Sequence, residues 1–498
     1  MKTLQKQMLF HSTNDRNLKV TFQKALMDGQ APNYGLYMID RQDVPKLSPS
    51  QIGEMKSMNY AQIATAVLTP YLKDEIEPAT LAKLMEKAYD PGIISVEMQH
   101  LAGRAHILWL TKGPTYSFKD YAGRFYGVVL DHFLGISGRR KTILIATSGD
   151  TGGALGHSLQ GLENVDVVIF YPKGKIREGQ RRQMTTLWRN VHAVAVNGNF
   201  DNCQDIVKCL LNDRRFAQLL SDDPERFGSA NSISLGRLLP QAVYPFYAYS
   251  RIANGTEPFV ASIPSGNFGD MMGTILAKEM GLPVLDIICA LNGNRGFLDY
   301  LQTGTYEARD GVENPSSAMD VGHPNNLARL VHFYGGHMFD RVEGGKVQKG
   351  VIDVAPDLEL MNMDITAVSV TKPEHYPAMA EAYQKYKVLL DPHGAVGYMA
   401  LERSLAITGA TLENSRILSV IYETADPGKF PKIVKKATGV MPPIPLGMQK
   451  QAKLPERIYD IENGPDIVDA PDGKKTMQLS ARQIREAKAT MHLIFSGV

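Results

Sequence analysis

The feature of this sequence that most constrains its fold is a repeated alternation of short strand-like runs with helical segments, which begins near residue 105. Each run of β-branched and small apolar residues is followed by a loop rich in glycine and serine, and then by apolar residues at helical spacing. Such alternation predicts βαβ units, because consecutive parallel strands need a crossover connection that a helix supplies. The chain is therefore expected to have an α/β fold with parallel sheets. The predicted strands are residues 142–146, 165–170, 193–196, 259–263, 285–290, 367–370 and 417–421.

The first 85 or so residues have a different pattern. Residues 48–72 open with Ser48 and Pro49, which are typical of a helix start, and then carry apolar side chains at helical spacing. No strand-like run accompanies them. We therefore expect a mainly helical N-terminal region.

Charge and cysteine content exclude several functional classes. The 54 Lys and Arg residues nearly balance the 52 Asp and Glu residues, and no long basic run is present, which argues against a nucleic-acid partner. The cysteines, Cys203, Cys209 and Cys289, are odd in number and lack CxxC spacing. This pattern favours a reduced, cytoplasmic protein, and no metal site is expected. No apolar run reaches signal-peptide or membrane-span length, so no membrane partner is expected.

Two glycine-rich loops are the first candidates for binding chemistry. ATSGDTGG (146–153) and PSGNFGDMMG (264–273) each join a predicted strand to a helix. Glycine lets backbone N–H groups approach an anion closely, and the following helix adds the positive end of its dipole. A strand-helix turn capped by Ser or Asp explains either loop alone equally well. Neither loop fits the dinucleotide or Walker motifs, and two anion sites suggest a phosphorylated cofactor with an acidic substrate.

A lysine at a predicted helix start is the next candidate. In KGPTYSFKDYAGRF (112–125), Lys119 follows a Gly-Pro turn, with Thr115 and Ser117 as candidate caps. The helix dipole disfavours a cation in the first turn, which lowers the pKa of such a lysine as a Schiff-base amine requires. By position alone, a solvated surface lysine is the more common case.

A fourth segment combines hydroxyl, amide and guanidinium groups. SANSISLGRLL (229–239) places Asn231, Ser232 and Ser234 ahead of Arg237, at the predicted opening of a helix. Such groups can bind a phosphate, with the guanidinium acting in bidentate fashion. A helix cap followed by a structural arginine is an equally good interpretation.

Taken together, these segments resemble a known family. KGPTYSFKDYAGRF, ATSGDTGGA, YPKGKI, GNFDNCQ, SANSISLGRLL, PSGNFGD, AMDVGHPNN and ETADPGKF occur in the order in which very similar segments occur in threonine synthases, across roughly residues 112–430. The N-terminal region is also similar to that family's N-terminal domain. The resemblance is to the branch shared by bacteria and fungi. It implies a pyridoxal-phosphate (PLP) enzyme with the fold of the tryptophan synthase β chain and two parallel-sheet domains.

The resemblance also implies roles for residues at matching positions. Those that match the family's cofactor contacts are Lys119 as the Schiff-base lysine, Gly266, Asn267, Phe268, Gly269 and Asp270 around the PLP phosphate, and Thr424, whose hydroxyl would face the pyridine nitrogen. Those expected to contact the substrate are Ser148, Gly149, Asp150 and Thr151 at its α-carboxylate, and Asn231, Ser232 and Arg237 at its phosphate. The match thereby indicates that the loop 264–273, and not the loop 146–153, receives the cofactor phosphate.

Two positions depart from the family pattern. Ser234 stands where related sequences often have a second Asn before the arginine, which changes the expected contacts to the substrate phosphate. Asp426 stands where many relatives carry His, two residues after Thr424 in the motif. A third polar residue, His393 in DPHGAVG, is interpreted as structural.

The implied reaction converts O-phospho-L-homoserine and water to L-threonine and phosphate by γ-elimination and β-addition of water. Lys119 would bind the cofactor and move protons at Cα and Cβ. Two alternatives remain open at this point: a PLP-dependent phospho-lyase or dehydratase that releases 2-oxobutyrate, and a non-catalytic PLP-binding regulatory protein. The oligomeric state is not predicted.

The expected domain organisation has three parts. Residues 1–85 would form the helical N-terminal domain. Residues 86–114 and 246–498 would form the large PLP-binding domain. Residues 115–245 would form a smaller, mobile domain on the substrate side, whose closure would exclude bulk water.

Overall fold

The computed structural model describes residues 7–221, 223–343, 346–469 and 475–496. The strands are β1 (Phe10–Ser12), β2 (Asp15–Val20), β3 (Tyr37–Met38), β4 (Ser95–Ala102), β5 (Ala105–Lys112), β6 (Lys141–Ala146), β7 (Val165–Pro172), β8 (Val191–Val196), β9 (Phe227–Gly228), β10 (Phe259–Pro264), β11 (Val284–Leu291), β12 (His337–Glu343), β13 (Lys346–Val354), β14 (Ile365–Ser369), β15 (Leu418–Glu423), β16 (Ile458–Ile461), β17 (Asp466–Asp469) and β18 (Lys475–Gln478).

The α-helices are α1 (Phe22–Asp28), α2 (Pro49–Glu54), α3 (Tyr60–Leu72), α4 (Pro78–Ala88), α5 (Lys119–Ser137), α6 (Asp150–Leu159), α7 (Glu178–Thr185), α8 (Phe200–Asn212), α9 (Arg214–Ser221), α10 (Leu235–Leu238), α11 (Val243–Ile252), α12 (Gly269–Glu279), α13 (Gly296–Thr303), α14 (Leu327–Phe333), α15 (Leu358–Asp364), α16 (His375–Tyr386), α17 (Pro392–Ile407), α18 (Pro431–Thr438), α19 (Leu446–Gln451) and α20 (Ala481–Ser496). Within the described ranges, none of these helices combines the length and the hydropathy needed to cross a bilayer.

Internal contacts divide the chain into two compact units. The larger unit contains residues 1–26, 30–122 and 232–445, and the smaller unit contains residues 27–29, 123–231 and 446–498. The three-domain organisation expected from the sequence stays a prediction.

The larger unit is built on a six-stranded sheet with the order β14-β11-β10-β15-β5-β4. Every neighbouring pair is parallel except β4 and β5. The strands are apolar because helices cover them, and α17 packs against β10, β11 and β15. Fully buried members of this core include Ile107, Ile288, Val396, Leu401 and Ile421.

The smaller unit has a five-stranded parallel sheet with the order β16-β8-β7-β6-β9. Helix α8 packs on β6 and β7, and the C-terminal helix α20 packs on β16 and α8. All seven strands predicted from the sequence are present, with ends that differ from the prediction by at most two residues. The predicted α/β class with two parallel sheets is therefore confirmed.

The N-terminal region is mainly helical, as predicted, and α2 begins with a capping box. Ser48 Oγ accepts from Gln51 N at 3.3 Å, while Gln51 Oε1 accepts from Ser48 N at 2.9 Å. A three-stranded antiparallel sheet, β2-β1-β3, was not predicted. Its strands escape recognition because β1 and β3 are very short and β2 (DRNLKV) buries no side chain, so it shows no apolar alternation.

Candidate active site

The residues predicted to contact the cofactor follow the carboxyl ends of neighbouring strands in the larger sheet. Strands β10, β15 and β5 are adjacent and parallel, so their carboxyl ends lie side by side. The loop after β10 carries residues 266–270, β15 is followed directly by Thr424, and the turn after β5 leads to Lys119. Ligands of open α/β sheets bind outside the carboxyl ends of strands. The topology thus assembles an amine, a hydroxyl and a glycine-rich loop where a ligand is expected.

The lysine segment is tied to the segment after β15 by backbone hydrogen bonds. Phe118 N donates to Thr424 O at 2.9 Å, and Asp426 N donates to Tyr116 O at 3.0 Å. Lys119 is the first residue of α5, as the sequence predicts, and its Nζ lies 4.9 Å from the centre of the Phe118 ring. The start of α5 and the carboxyl end of β15 are therefore held together.

Asp120, the residue after Lys119, is fully buried and fixes the turn before the helix. Its carboxylate accepts from Thr115 N at 2.8 Å and from Thr115 Oγ1 at 2.6 Å. Burial raises the pKa of Asp120 to about 6, against the opposing effects of the Thr115 hydrogen bonds and of Lys429. A Cβ at Gly113 would lie 2.4 Å from Asp120 Oδ2. Thr115, which the sequence suggests as a helix cap, thus donates hydrogen bonds to the Asp120 carboxylate instead.

The loop after β10 presents backbone donors at the start of α12. Phe268 adopts a left-handed conformation with φ 61°, which turns the chain into the helix at Gly269. Within the part of the chain that the structure describes, the N–H groups of Gly266, Asn267 and Phe268 have no acceptor. Free N–H groups ahead of a helix N-terminus form a site for an anion such as a phosphate.

Two asparagines from the AMDVGHPNN segment hold this loop in place. Asn326 Nδ2 donates to Asn267 O at 2.8 Å, and Asn325 N donates to Asn267 Oδ1 at 3.1 Å. Asn325 Nδ2 also donates to Ser232 Oγ at 3.1 Å. Arg329 is fully buried and donates to Asn326 Oδ1 at 2.5 Å, while burial lowers the pKa of Arg329 to about 9. Sequence reasoning did not single out these three residues, although two of them lie in a segment that carries the resemblance.

Asp270 lies in the first turn of α12 and is 4% exposed. Neither of its carboxylate oxygens has a hydrogen-bond partner among the described residues. Burial raises the pKa of Asp270 well above its usual value, which favours the protonated, neutral form. The half-buried Tyr60 and the buried Tyr244 and Tyr422 lie within electrostatic reach of it. The protonated form of Asp270 carries no negative charge beside the anion-binding loop.

The helix that carries Arg237 packs closely against α12. Arg237 is 5% exposed, and its carbonyl accepts from Gln241 Nε2 at 2.8 Å. A Cβ at Gly269 would lie 2.9 Å from that same Nε2 atom. The buried Ser234 hydroxyl has no hydrogen-bond partner within the described ranges. A guanidinium and an unsatisfied hydroxyl of this kind are suited to a second anion.

The other glycine loop belongs to the smaller unit, as do Asn231 and the predicted carboxylate-binding residues 148–151. Thr147 Oγ1 accepts from Gly149 N at 2.9 Å and from Gly152 N at 3.0 Å. The turn into α6 is thus capped by a threonine rather than by the predicted Ser or Asp. Ser148 is exposed, and Asp150 Oδ1 accepts from Gln180 Nε2 at 2.9 Å.

His393 holds the segment around Ala318 in place, as expected for a residue with a structural role. Its Nδ1 lies 2.6 Å from Asp391 Oδ2, and its Nε2 accepts from Ala318 N at 3.1 Å. The Ala318 carbonyl in turn would lie 2.9 Å from a Cβ at Gly266. His393 therefore supports the segment against which the glycine loop rests.

Asp426, which departs from the family pattern, caps the turn after β15. Its Oδ1 accepts from Gly428 N at 2.8 Å, at the start of the 3-10 turn Pro427–Lys429. Burial raises the pKa of Asp426. The carboxyl is thus engaged locally, two residues beyond Thr424.

Comparisons with known proteins cover nearly the whole chain. A family model described as "Threonine synthase N terminus" matches residues 9–89, one described as "Pyridoxal-phosphate dependent enzyme" matches residues 108–423, and one described as "Threonine synthase, C-terminal" matches residues 394–470. The chain is 32% identical to the threonine synthase of Escherichia coli (strain K12) over 449 residues, which are 90% of this chain and 95% of the relative.

Two solved structures are similar over a comparable length. The crystal structure of PLP-bound threonine synthase from Brucella melitensis has a TM-score of 0.81 and 31% identity, and the match covers 91% of this chain and 96% of that one. The crystal structure of threonine synthase from yeast has a TM-score of 0.83 and 27% identity, with 99% of both chains covered. The predicted fold class is confirmed by these likenesses.

Proposed function

The chain belongs to the threonine synthase family of PLP-dependent enzymes, and we propose that it converts O-phospho-L-homoserine and water to L-threonine and phosphate. The observation that carries this proposal is the convergence of Lys119, Thr424 and the loop 266–270 at the carboxyl ends of three adjacent parallel strands. The unsatisfied Ser234 hydroxyl and the buried Arg237, three residues apart at the start of α10, also suit a phosphorylated substrate.

The residues at this sheet edge fit PLP by their chemistry. Lys119 supplies an amine for the aldehyde, the free N–H groups of residues 266–268 suit the phosphate, and the Thr424 hydroxyl suits the pyridine nitrogen. When bound, the cofactor supplies an electron sink for negative charge at the substrate's Cα. We assign these residues to those roles.

Lys119 is proposed both to hold the cofactor and to move protons at Cα and Cβ of the substrate. Its position in the first residue of α5 supports this role, because the helix dipole there favours the neutral amine over the ammonium ion. A neutral amine can act as a nucleophile and as a base. The backbone bond from Phe118 to Thr424 restrains the direction from which Lys119 approaches.

The loop 266–270 is proposed to bind the cofactor phosphate. Backbone donors at a helix start attract a dianion without a cationic side chain. The raised pKa of Asp270 supports this assignment, because burial favours the protonated acid, which does not repel a phosphate placed against the same turn. Asn267 is held by Asn325 and Asn326, which keeps the loop in its binding conformation before the cofactor arrives.

Thr424 is proposed to face the pyridine nitrogen. A hydroxyl cannot hold that nitrogen in its protonated form as strongly as a carboxylate would. Such an environment favours elimination and replacement over transamination. The carboxyl of Asp426 does not replace the hydroxyl in this role, since Asp426 Oδ1 accepts from Gly428 N.

The substrate contacts are likewise proposals. Asn231, Ser232 and Arg237 are assigned to the substrate phosphate. Residues 148–151 are assigned to the α-carboxylate, and the closure expected for residues 115–245 stays part of the proposal. The buried Ser234 hydroxyl offers a donor where related sequences have Asn.

The proposal is tested by product analysis in water enriched in the heavy oxygen isotope. Purified protein with PLP and phosphohomoserine should give threonine with one solvent oxygen at its β-hydroxyl, and only traces of 2-oxobutyrate. A dominant oxo acid would indicate a phospho-lyase, and homoserine with phosphate would indicate a phosphatase. A protein that binds PLP but turns over no substrate would indicate a regulatory role.

We also propose a cytoplasmic location. Cys203, Cys209 and Cys289 are all free, and two of them are buried, which supports a reducing compartment. Fractionation of cells that express the natural chain, with a cytosolic marker as reference, tests this assignment.

A further inference from the structure

Apart from the candidate active site, three side chains distant in sequence converge in the larger unit. His11 lies in β1, Asp40 follows β3, and His332 lies in α14. His11 Nε2 is 3.3 Å from Asp40 Oδ2, and His332 Nε2 is 3.8 Å from Asp40 Oδ1. The imidazole rings are 4.9 Å apart, and one ligand atom from each residue lies within 4.8 Å of the others.

Both histidines present unsatisfied nitrogens to the carboxylate. His11 is 4% exposed and His332 is 3% exposed, and neither Nε2 makes a hydrogen bond in the described part of the chain. His11 Nδ1 lies 3.3 Å from Ser12 O, to which it donates. The two Nε2 atoms and the Asp40 carboxylate oxygens are thus donor atoms that a cation can bind between them. A ligating histidine usually donates its other ring N–H to a backbone carbonyl in this way.

The positive groups around the cluster do not supply that cation to the histidines. Arg16 Nη1 lies 3.1 Å from Asp40 Oδ1, but its side chain is 53% exposed and pairs with the carboxylate alone. His337 also lies within electrostatic reach of His332, and its Nδ1 is 2.6 Å from Asp353 Oδ1. Arg16 therefore competes for Asp40, and it is free to move outward into solvent.

We propose that His11, Asp40 and His332 form a binding site for a divalent transition-metal ion of the zinc class. Two imidazole nitrogens and one carboxylate oxygen are a ligand set that zinc prefers, with bond lengths of about 2.0–2.2 Å and a fourth position left for water. The distances of 3.3 Å and 3.8 Å between ligand atoms are close to the separation of about 3.3–3.6 Å between two ligands of a tetrahedral ion with such bonds. Small side-chain movements would bring all three ligand atoms to that separation.

The ion would join the N-terminal sheet to α14. His11 pairs with Met38 across β1 and β3, which brings Asp40 close to His11. Arg329 in α14 donates to Tyr37 O at 3.0 Å, which holds His332 against the same sheet. The site is thus preformed by the fold, so its expected role is structural. The sequence separation of these residues explains why no metal motif was visible.

The test uses the PLP-loaded full chain after treatment with a chelator. Isothermal titration with Zn²⁺ should show one site, and the melting temperature should rise by a few degrees. Co²⁺ should give the visible absorption bands of a tetrahedral site with nitrogen ligands. Asp40→Asn and His332→Gln should each weaken Zn²⁺ binding by about a hundredfold or more, since each removes a ligand. His492→Gln, an exposed histidine of the smaller unit, is the matched control and should leave binding unchanged.

Arg16→Ala separates a metal site from a simple ion-pair cluster, and it does so without altering a buried side chain. Removal of the competing guanidinium should tighten Zn²⁺ binding, whereas it would weaken a cluster held only by charge pairing. Absence of stoichiometric binding, or binding that survives both Asp40→Asn and His332→Gln, would overturn the proposal. Threonine formation is read separately, so that a failure here is distinguishable from a failure of the proposed function.

Discussion

Phe118 donates its backbone N–H to the carbonyl oxygen of Thr424 across 2.9 Å. This bond joins the residue before the candidate Schiff-base lysine to the candidate partner of the pyridine nitrogen. A second bond, from Asp426 N to Tyr116 O at 3.0 Å, reinforces the connection. Because both bonds are between backbone atoms, changing the side chain of Lys119 or Thr424 should leave the two segments in place.

Lys119→Ala should abolish the covalent link to PLP and essentially all turnover, because no other lysine is expected within reach of the cofactor aldehyde. Reduction with borohydride followed by mass spectrometry of peptides is the measurement. Lys112→Ala, at the end of β5, is a matched control and should retain both the adduct and activity. An adduct on any other lysine of the natural chain would contradict the assignment.

Arg237→Ala should weaken the use of phosphohomoserine while the PLP spectrum stays nearly intact. The loss of a charge-assisted contact costs about 1.5–3 kcal/mol, which is about ten- to a hundredfold in kcat/KM. Arg237→Lys keeps the charge but not the bidentate geometry, so its kcat/KM should lie between those of the natural protein and Arg237→Ala. Loss of bound PLP, with normal kinetics once it is added back, would show that this arginine contacts the other phosphate.

Asp270→Asn should stabilise the protein increasingly as the pH rises above about 4. The pKa of Asp270 is raised by burial, so the folded chain keeps a proton that the unfolded chain releases. The free energy of unfolding of the natural protein therefore declines as the pH rises, by about 1.4 kcal/mol per pH unit from this group, until the folded state also deprotonates. The amide has no such dependence. Urea unfolding of both proteins at a series of pH values measures the difference, and parallel curves would disprove a neutral Asp270.

Seven of the eleven strands in the two large sheets were predictable, because they are apolar runs bounded by glycine and serine, whereas β4, β5, β9 and β16 were not predicted. By contrast, β2 buries no side chain, and β16 (Ile458–Ile461) joins the smaller sheet beside β8 from the distant C-terminal part of the chain. Local patterns do not contain such pairings. Strand assignment alone therefore does not give the complete sheet order.

The candidate site was predictable to a similar degree. Lys119 and the loop 266–270 were assigned through the resemblance to threonine synthases, because position alone favoured a surface lysine and an ordinary strand-helix turn explained the glycine loop equally well. The hydrogen bond from Asn326 to Asn267 and the unsatisfied carboxyl of Asp270 depend on tertiary packing, so the sequence alone did not reveal them. The burial of Arg329 beneath the loop has the same origin.

Gly266→Ala should lower the affinity for PLP and leave the rest of the fold largely intact. A Cβ at this position would lie 2.9 Å from Ala318 O and 3.1 Å from Met319 Cα, and both are backbone atoms that cannot rotate away. The loop must therefore shift, which misaligns the N–H groups proposed to bind the phosphate. Gly53→Ala in α2 is the control, since a Cβ there has no neighbour within 4 Å.

The measurement is PLP titration by absorbance, with far-UV circular dichroism as the check on folding. Ala318 N is itself held by His393, so the Ala318 segment has little freedom to move away from the new methyl group. His393→Ala combined with Gly266→Ala should recover part of the lost PLP affinity, because it releases that segment. An unchanged affinity in Gly266→Ala alone would mean that the phosphate is bound elsewhere.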